Sequence, residues 1–322
     1  MRKIRRKRQK ILGLLLILVL FAAYKLWLAP YLALLNGQPV TEVVQAQEVP
    51  ASGLTQQAQG TPEEAAEQAD ADKPETQDTP PQITITQREL GMGDNHITYY
   101  EADVWVSDAS DLKTAFAHDT FGQGIQDTLT HMAEEHNASF AVNGDFYGYR
   151  SDGIVIRNGV LYRDVPSDRE CLVLYQDGTA GIVKESDTSG QALLDAGAWN
   201  VFSFGPVLVE NGQARTGLKE PYRVDEFSVS ISGPDPRTAI GYIEPGHYLI
   251  VVADGRQTGY SRGMDFEELA KVFADYGCQL AYNLDGGGSV TLYSEGEVVN
   301  QPCPLIGKER SISDILYVEA VQ

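Results

Sequence analysis

The chain has 322 residues, and its 45 acidic and 25 basic side chains give a formal net charge of −20 at pH 7. This length is sufficient for one sizeable hydrophobic core or two small ones. The acidic balance excludes a general nucleic-acid binder, which needs a basic surface. Three cysteines are too few for a small scaffold held together mainly by disulfides.

The charge is distributed over three segments of different character. Residues 1–35 contain eight basic and no acidic side chains, residues 36–82 contain one basic and nine acidic ones, and residues 83–322 contain 16 basic and 36 acidic ones. Segments with such different balances are different physical objects. We therefore predict a basic segment with a membrane anchor, an acidic linker and one globular domain, in that order.

Residues 11–35 are predicted to form a single-pass membrane anchor. Seven basic side chains in the first ten residues precede this apolar stretch, in which Lys25 is the only charged residue. Lys25 can extend its ammonium group to the membrane surface. Because basic segments stay on the cytoplasmic side, we expect the C-terminal domain to lie outside the cytoplasm at the cell membrane. A cleaved signal peptide is the alternative, which Pro30 disfavours because it directly follows the small residue Ala29.

Residues 36–82 are predicted to be a disordered linker. Gln, Ala, Glu, Thr and Pro dominate this segment, and large apolar side chains are almost absent after Leu54. Such a composition buries too little apolar surface to compensate for the entropy lost on ordering. The globular part of the chain therefore begins at about residue 83.

Residues 83–322 combine many short strands with few helices. Residues 153–162 predict a β-hairpin, because Asn158-Gly159 favours the two-residue turn that joins adjacent strands. Helices are predicted over 265–276, which begins with a capping box, and over 124–136. Further strands are predicted over residues 96–106, 139–142, 171–175, 180–184, 238–243, 248–253 and 279–284. The predicted fold class is α+β, a single domain with a mixed, largely antiparallel sheet and a few packed helices.

The most distinctive motif is Asp285-Gly286-Gly287-Gly288-Ser289, directly after a predicted strand. Consecutive glycines permit positive φ angles and a close approach to a ligand, and their amides can form an anion-binding nest. A flexible tight turn is the alternative for a bare glycine run. Here a carboxylate and a hydroxyl flank the glycines, and Asn283 is predicted to lie on the same face of the strand as Asp285.

Three more polar groups lie at the ends of predicted apolar strands. Asn143 and Asp254 each follow a strand, Arg256 comes two residues after Asp254, and Arg237 opens another strand. Asn and Asp at such positions often serve only the local turn, so that alternative stays open. Arg237 is either a solvated charge at a strand end or a buried clamp for a carboxylate or phosphate. Together these clusters can build one site at the rim of a sheet.

The motifs in their order resemble the phosphodiester glycosidase family. The similarity rests on Arg237-Thr-Ala-Ile-Gly, Asp254-Gly-Arg, Asn283-Leu-Asp-Gly-Gly-Gly-Ser and Glu309-Arg310, together with the upstream run from Ala141 to Tyr147. It covers roughly residues 90–320. Asp145 departs from the pattern, because a second glycine is expected at that position, and its role is left open.

The resemblance implies hydrolysis of a sugar-1-phosphodiester at the bond between the sugar C1 and oxygen. A phosphomonoester leaves readily, so the site needs an anion clamp and one carboxylate more than it needs a strong general acid. Asp285 is the first candidate for the catalytic carboxylate and Asp254 the second. The residues expected to bind the phosphate or the sugar are Arg237, Arg256, Arg310, Asn143, Asn283, Gly286, Gly287, Gly288 and Ser289.

No cofactor is predicted. The five histidines lack the paired spacing of a zinc site, although a divalent cation such as Ca²⁺ held by Asp and Asn oxygens stays an alternative. Cys171 and Cys303 are candidates for a disulfide that sequence alone does not assign. The expected partner is a cell-envelope or exopolysaccharide glycan with sugar-1-phosphate linkages. The rival functions are a non-catalytic glycan-binding or assembly module and a glycosidase without a phosphate requirement.

Overall fold

The structure is a computed structural model in which residues 79–224, 231–303 and 309–321 are described. The predicted membrane anchor over residues 11–35 lies outside these ranges, as do residues 36–78 of the predicted linker. Within the described ranges, no helix has the length and apolar character needed to cross a membrane. Gln82, the last residue of the predicted linker, is the first residue of a strand.

The described part of the chain forms three β-sheets with three α-helices packed against them. The strands in chain order are β1 Gln82–Leu90, β2 Ile97–Trp105, β3 Lys113–Phe116, β4 Ala138–Asn143, β5 Gly153–Arg157, β6 Val160–Val165, β7 Glu170–Tyr175, β8 Ala180–Lys184, β9 Ala198–Phe202, β10 Val207–Glu210, β11 Gln213–Ala214, β12 Arg237–Glu244, β13 His247–Ala253, β14 Leu280–Asn283, β15 Leu292–Ser294, β16 Glu297–Val298 and β17 Asp314–Glu319. The helices are α1 Leu129–Glu135, α2 Gly190–Asp195 and α3 Phe266–Tyr276.

The first sheet has the strand order β1-β2-β13-β12-β14-β10-β11, the second β16-β15-β4-β17-β3, and the third β6-β5-β9-β7-β8. Every pairing between these described strands is antiparallel. The prediction of a single α+β domain with largely antiparallel pairing and few helices is confirmed. The prediction of one mixed sheet is wrong, because the hairpins assemble into three separate sheets.

The hairpins follow their predicted turns. Arg157 of β5 pairs with Val160 of β6, and the two turn residues Asn158 and Gly159 have φ angles of 50° and 73°. Positive φ at both positions is the geometry that Asn-Gly supports in a two-residue turn. The pairing of β7 with β8 and of β12 with β13 is likewise as predicted.

Helix α3 begins and ends at the expected residues. The Asp265 side chain accepts a hydrogen bond from the Glu268 amide, and the Glu268 side chain accepts one from the Asp265 amide. Gly277 ends the helix at φ 94°. Its buried stripe, which includes Phe266 and Phe273, packs on one face of the first sheet.

The helix predicted over residues 124–136 is shorter than expected. Helix α1 covers only Leu129–Glu135, because Asp127 pairs with Ile312 in an isolated β-bridge and Thr128 caps the helix. The short helix α2 was not predicted from the sequence. Its N-cap is Ser189, which accepts a hydrogen bond from the Ala192 amide.

One hydrophobic core is shared by all three sheets. It contains the buried side chains of Val104, Phe140, Leu172, Ile250 and Leu316, which come from five different strands. The three cysteines are buried and unpaired, so the possible disulfide between two of them is not formed.

The strand register brings the predicted polar clusters to one edge of the first sheet. Arg237, the first residue of β12, pairs with Ala253 at the end of β13, and Ala239 pairs with Asn283 at the end of β14. In the second sheet, β4 ends at Asn143. The loops after β4, β13 and β14 therefore start close to one another.

Candidate active site

The candidate site is built on the loop after β14, which runs from Asp285 into a 3-10 turn over Gly287–Ser289. The Asp285 carboxylate accepts hydrogen bonds from the Gly286 amide (2.8 Å) and from the Ser289 hydroxyl (2.6 Å). One bond reaches each carboxylate oxygen. The two residues that flank the glycines are thus joined in one unit that fixes the orientation of the carboxylate.

The backbone of Asp285 is bound to the loop after β4. Its N–H donates to the carbonyl of Gly144 (3.2 Å), and its carbonyl accepts a hydrogen bond from Nδ2 of Asn143 (2.7 Å). The Thr238 hydroxyl donates in turn to Oδ1 of Asn143 (2.6 Å). Residues from β4, β12 and the loop after β14 therefore meet at Asp285.

The surroundings of Asp285 make its carboxyl a weaker acid than an exposed aspartate. Burial of the carboxyl raises its pKa above the ordinary value of 3.8, although the charge of Arg310 and the bonds from Ser289 and Gly286 oppose the rise. Protein atoms surround the carboxyl densely, yet the residue keeps part of its surface exposed. An accessible carboxyl with a raised pKa is suited to proton transfer.

The three glycines let the loop approach its neighbours closely. A Cβ atom on Gly286 would lie 2.8 Å from the carbonyl oxygen of Pro236, and one on Gly287, at φ 63°, would lie 2.9 Å from Nη2 of Arg256. Two of the three amides are already used within the protein, since Gly286 donates to Asp285 and Gly287 donates to Pro236 (2.9 Å). The glycines therefore serve close packing, and the predicted anion nest of free amides does not form at Gly286 and Gly287.

Arg310 is the predicted arginine whose charge acts on this carboxyl. Its Cδ would be 3.1 Å from a Cβ atom on Gly288, and its guanidinium carbon lies 5.8 Å from the centre of the Tyr149 ring. Within the described ranges, no carboxylate forms an ion pair with it. Its charge lowers the pKa of Asp285. A cation with free donors beside a carboxyl is the arrangement expected for binding a phosphodiester.

Arg256 lies beside the glycine loop, but its charge is compensated. Its Nε and Nη2 atoms donate to the two oxygens of Asp235 at 2.5 and 2.7 Å, and its side chain is half-exposed. The bidentate pair and a further side-chain contact with Cys303 engage its donors. Substrate binding by Arg256 stays a prediction, and its capacity for an anion is lower than that of Arg310.

Arg237 has structural contacts in place of the free anion-binding face that the sequence led us to expect. Its side chain is buried and packs over the Phe266 ring, with 4.2 Å from the guanidinium carbon to the ring centre. Nε donates to the carbonyl of Met264, and Nη2 donates to the carbonyls of Ile231 and Gly233. These contacts brace the backbone behind the glycine loop.

Asp254 is also engaged by protein groups. It is buried, and its carboxylate accepts hydrogen bonds from Nδ2 of Asn300 (2.8 Å), the amide of Gln301 (3.0 Å) and the hydroxyl of Tyr260 (2.8 Å). Burial raises the pKa of Asp254, and these hydrogen bonds oppose the rise. Both carboxylate oxygens of Asp254 thus connect the loop after β13 to residues 300 and 301. The role of Asp254 as the second candidate for the catalytic carboxylate stays a prediction, and in the structure the carboxylate binds three neighbouring groups.

The two predicted asparagines are buried supports of the loops. Asn283 donates from Nδ2 to the carbonyls of Gly205 (2.8 Å) and Leu284 (2.9 Å), and Asn143 holds the backbone of Asp285. The Oδ1 atom of Asn283 is buried and has no hydrogen-bond partner among the described residues. Binding of the substrate by these two side chains stays a prediction, and in the structure their Nδ2 groups donate to backbone carbonyls.

A buried charge cluster beside the site was missed by the sequence analysis. Asp145, whose role was left open, lies within 3.5 Å of Nη2 of Arg157, and the same Arg157 donates to Oδ2 of Asp314 from Nε (3.0 Å) and Nη2 (2.8 Å). Arg150 lies 3.7 Å from the other oxygen of Asp145. All four side chains are almost completely buried. Buried ions persist when they are paired in this way.

The cluster is connected to Asp285 through Gly144. The Gly144 amide donates to the carbonyl of Asp314 (3.0 Å), and its own carbonyl accepts the Asp285 N–H. Burial raises the pKa of Asp314 to about 7, against the opposing charge of Arg157. The pattern that could have revealed the cluster is a charged residue at the end of an apolar strand, since Arg157 is the last residue of β5 and Asp314 the first residue of β17.

A second group of ligand-type side chains lies away from the site, on the surface near α1. Single ligand atoms of Asp127, His131 and Glu135 lie within 4.8 Å of one another. Hydrogen bonding to Asp127 raises the pKa of His131. His131 lies on the exposed face of α1, and the spacing of the histidines in the sequence did not predict this cluster.

Comparisons with known proteins follow the same ordered motifs. The family model described as phosphodiester glycosidase matches residues 136–319. The SPbeta prophage-derived uncharacterized protein YomE of Bacillus subtilis (strain 168) is 31% identical over 206 residues, which are 62% of this chain and 30% of that protein. The human N-acetylglucosamine-1-phosphodiester alpha-N-acetylglucosaminidase is 31% identical over 110 residues, 34% of this chain and 21% of that enzyme. The chain thus spans less than a third of the length of either relative.

A solved structure has a similar fold. The zebrafish N-acetylglucosamine-1-phosphodiester alpha-N-acetylglucosaminidase catalytic domain, auto-inhibited by its pro-peptide, superposes with a TM-score of 0.59 at 20% sequence identity. The similarity covers 78% of this chain and 85% of that domain. At this level of identity the match concerns the fold.

Proposed function

The chain belongs to the phosphodiester glycosidase family, whose model covers more than half of it, and from that premise we propose that it hydrolyses sugar-1-phosphodiesters. The products are a free sugar and a phosphomonoester. The observation that carries this proposal is that the partly exposed Asp285 carboxyl lies within the electrostatic influence of Arg310, which forms no ion pair among the described residues. The carboxyl of Asp285 can act on the reaction at the sugar C1, and the guanidinium of Arg310 can bind the phosphate.

In the proposed reaction, the bond between the sugar C1 and the phosphate oxygen breaks, and its electron pair stays with the phosphate. A water oxygen forms the new bond to C1, and Asp285 in its ionised form accepts the proton that the water loses. Arg310 stabilises the charge that develops on the phosphate. Ser289 and Gly286 hold the carboxylate in one orientation through the hydrogen bonds described above.

The proposal extends to substrate and location. The name of the human relative indicates an N-acetylglucosamine-1-phosphodiester for that enzyme. By analogy, we propose that this chain acts on such linkages in cell-envelope or exopolysaccharide glycans. The basic N-terminus followed by the apolar residues 11–35 supports attachment to the cell membrane, with the enzymatic domain outside the cytoplasm.

The experiment is a sugar-release assay on the purified full-length protein in detergent. Uridine diphosphate N-acetylglucosamine is the first sugar-1-phosphodiester, and free N-acetylglucosamine is measured. Asp285→Asn is expected to lower kcat by about 10²–10⁴-fold, because it removes the proton acceptor. Asp177→Asn, a change in an exposed turn, is the matched control and retains full activity.

The outcomes separate the candidate functions. No release from any of several sugar-1-phosphodiesters would overturn the proposal, and tight glycan binding without turnover would favour the non-catalytic glycan-binding module. Equal rates on glycosides that lack phosphate would favour the glycosidase without a phosphate requirement.

A further inference from the structure

The residue before Arg310 is bound to a distant part of the chain. The Glu309 carboxylate accepts two hydrogen bonds from Thr130, one from the backbone amide to Oε1 (3.0 Å) and one from the hydroxyl to Oε2 (2.8 Å). Both oxygens are therefore used by a single residue that is 179 positions away in the chain. Among the described residues, Glu309 forms no ion pair with its neighbour, so it does not neutralise the Arg310 charge.

A second attachment lies two residues after Arg310. The amide of Ile312 donates to the carbonyl of Asp127 (2.8 Å), and the amide of Asp127 donates to the carbonyl of Ile312 (2.9 Å). Together with the bonds of Glu309 to Thr130, four hydrogen bonds join residues 309–312 to residues 127–130. Arg310 lies between the two attachment points.

The side chain of Arg310 has no comparable restraint of its own. It contacts the backbone at Gly288 and the Tyr149 ring, and no hydrogen bond holds its guanidinium among the described residues. An arginine side chain has many rotamers, and ordering it costs conformational entropy. The position of the guanidinium near Asp285 therefore depends on how firmly its backbone is held.

We propose that Glu309 is a positioning residue for the phosphate-binding cation: by gripping Thr130, it holds the backbone so that the Arg310 guanidinium faces the glycine loop. This inference rests on the proposed function, because it assigns Arg310 to the phosphate group of the substrate. The two neighbouring residues then have separate roles: Glu309 anchors the backbone, and Arg310 binds the phosphate. The Glu309 carboxylate acts by accepting the two hydrogen bonds from Thr130, and this role requires no contact with the substrate.

The test measures binding of inorganic phosphate to the full-length protein by isothermal titration calorimetry, together with kcat and KM for the sugar-1-phosphodiester. Glu309→Ala is expected to weaken phosphate binding about tenfold, because the cation is no longer held in place. Glu309→Gln keeps an acceptor for the Thr130 amide and is expected to recover part of the affinity. In kinetics, KM rises in Glu309→Ala more than kcat falls.

A double-mutant cycle distinguishes positioning from general damage to the fold. Arg310→Ala is expected to weaken phosphate binding at least as much as Glu309→Ala does, and Glu309→Ala is expected to add nothing in the Arg310→Ala background. Thr130→Val, which removes only the hydroxyl donor, serves as the milder variant if Glu309→Ala does not fold, and it is expected to weaken binding about threefold.

The inference is overturned if phosphate does not bind to the wild-type protein, if Glu309→Ala and Thr130→Val leave phosphate affinity unchanged, or if Glu309→Ala weakens it further without Arg310. Coupled phosphate binding without sugar release would support the positioning role and would count against the proposed hydrolysis. Phosphate affinity therefore tests the positioning role of Glu309, and sugar release tests the proposed hydrolysis.

Discussion

Replacing Asn143 by alanine is expected to destabilise the folded protein, and not only to weaken substrate binding. The Asn143 side chain is buried, and its Nδ2 donates to the carbonyl of Asp285 (2.7 Å) while its Oδ1 accepts the Thr238 hydroxyl (2.6 Å). It thereby joins the ends of strands from two sheets. A residue that touched only substrate would leave the free energy of unfolding almost unchanged.

The magnitude follows from the groups that the substitution leaves without partners. Alanine removes these two hydrogen bonds and a longer one from Nδ2 to the carbonyl of Gly144 (3.3 Å). The Gly144 carbonyl still accepts the Asp285 N–H, whereas the carbonyl of Asp285 and the hydroxyl of Thr238 lose a partner. Each buried polar group left unsatisfied costs about 1–3 kcal/mol, which gives roughly 2–6 kcal/mol for the pair. Because small domains are stable by only about 5–15 kcal/mol, this loss is a large fraction of the total.

Urea denaturation followed by tryptophan fluorescence measures the effect as a lower midpoint with an unchanged m-value. Thr238→Val in the Asn143→Ala background removes the orphaned hydroxyl and is expected to restore about 1 kcal/mol, so the two changes are not additive. An unchanged midpoint accompanied by a raised KM would refute this reasoning and would return Asn143 to the substrate-binding role predicted from the sequence.

Two further predictions concern the glycine loop and the carboxyl group. Gly287→Ala is expected to lower the free energy of unfolding by about 1–2 kcal/mol, because alanine is strained at φ 63° and its Cβ would lie 2.9 Å from Arg256; Gly233→Ala, where a Cβ meets no atom within 4 Å, is the control in the same denaturation assay. The acid limb of the kcat/KM profile is expected above pH 3.8, since burial raises the pKa of Asp285, and Arg310→Ala is expected to move it to higher pH because the lost cation no longer stabilises the carboxylate. A limb that stays in place in Arg310→Ala would contradict that electrostatic link.

The elements predicted well are those whose causes lie within a few neighbouring residues. The Asn158-Gly159 turn and the capping box at Asp265 act through bonds and φ angles inside one short segment, and both appear as expected. Helix α1 was predicted too long because Asp127 pairs with Ile312, a partner that no local pattern contains. At Asp127 the backbone hydrogen bonds to Ile312 outweigh the local preference for helix.

The candidate site shows the same division. The ordered motifs identified the loops, and the strand register brings those loops to one edge of the first sheet. The role of each polar side chain within a loop depends on burial and on distant partners. Asp254 is held by Asn300 and Gln301, and Arg237 is held by carbonyls of Met264 and Gly233, so two predicted site residues have structural contacts.

The chain's own sequence determined the hairpins, the longest helix, the family and the acidic charge that excludes a general nucleic-acid binder. Tertiary structure alone decided which predicted polar groups remain available for a ligand. Within the described part of the chain, Arg310 forms no ion pair while Arg256 is paired with Asp235. Asn143 and Asp285 are in contact although 142 positions separate them. The physical reason is that turn and cap preferences act between neighbouring residues, whereas pairing and burial of a charge depend on which segments the folded core brings together.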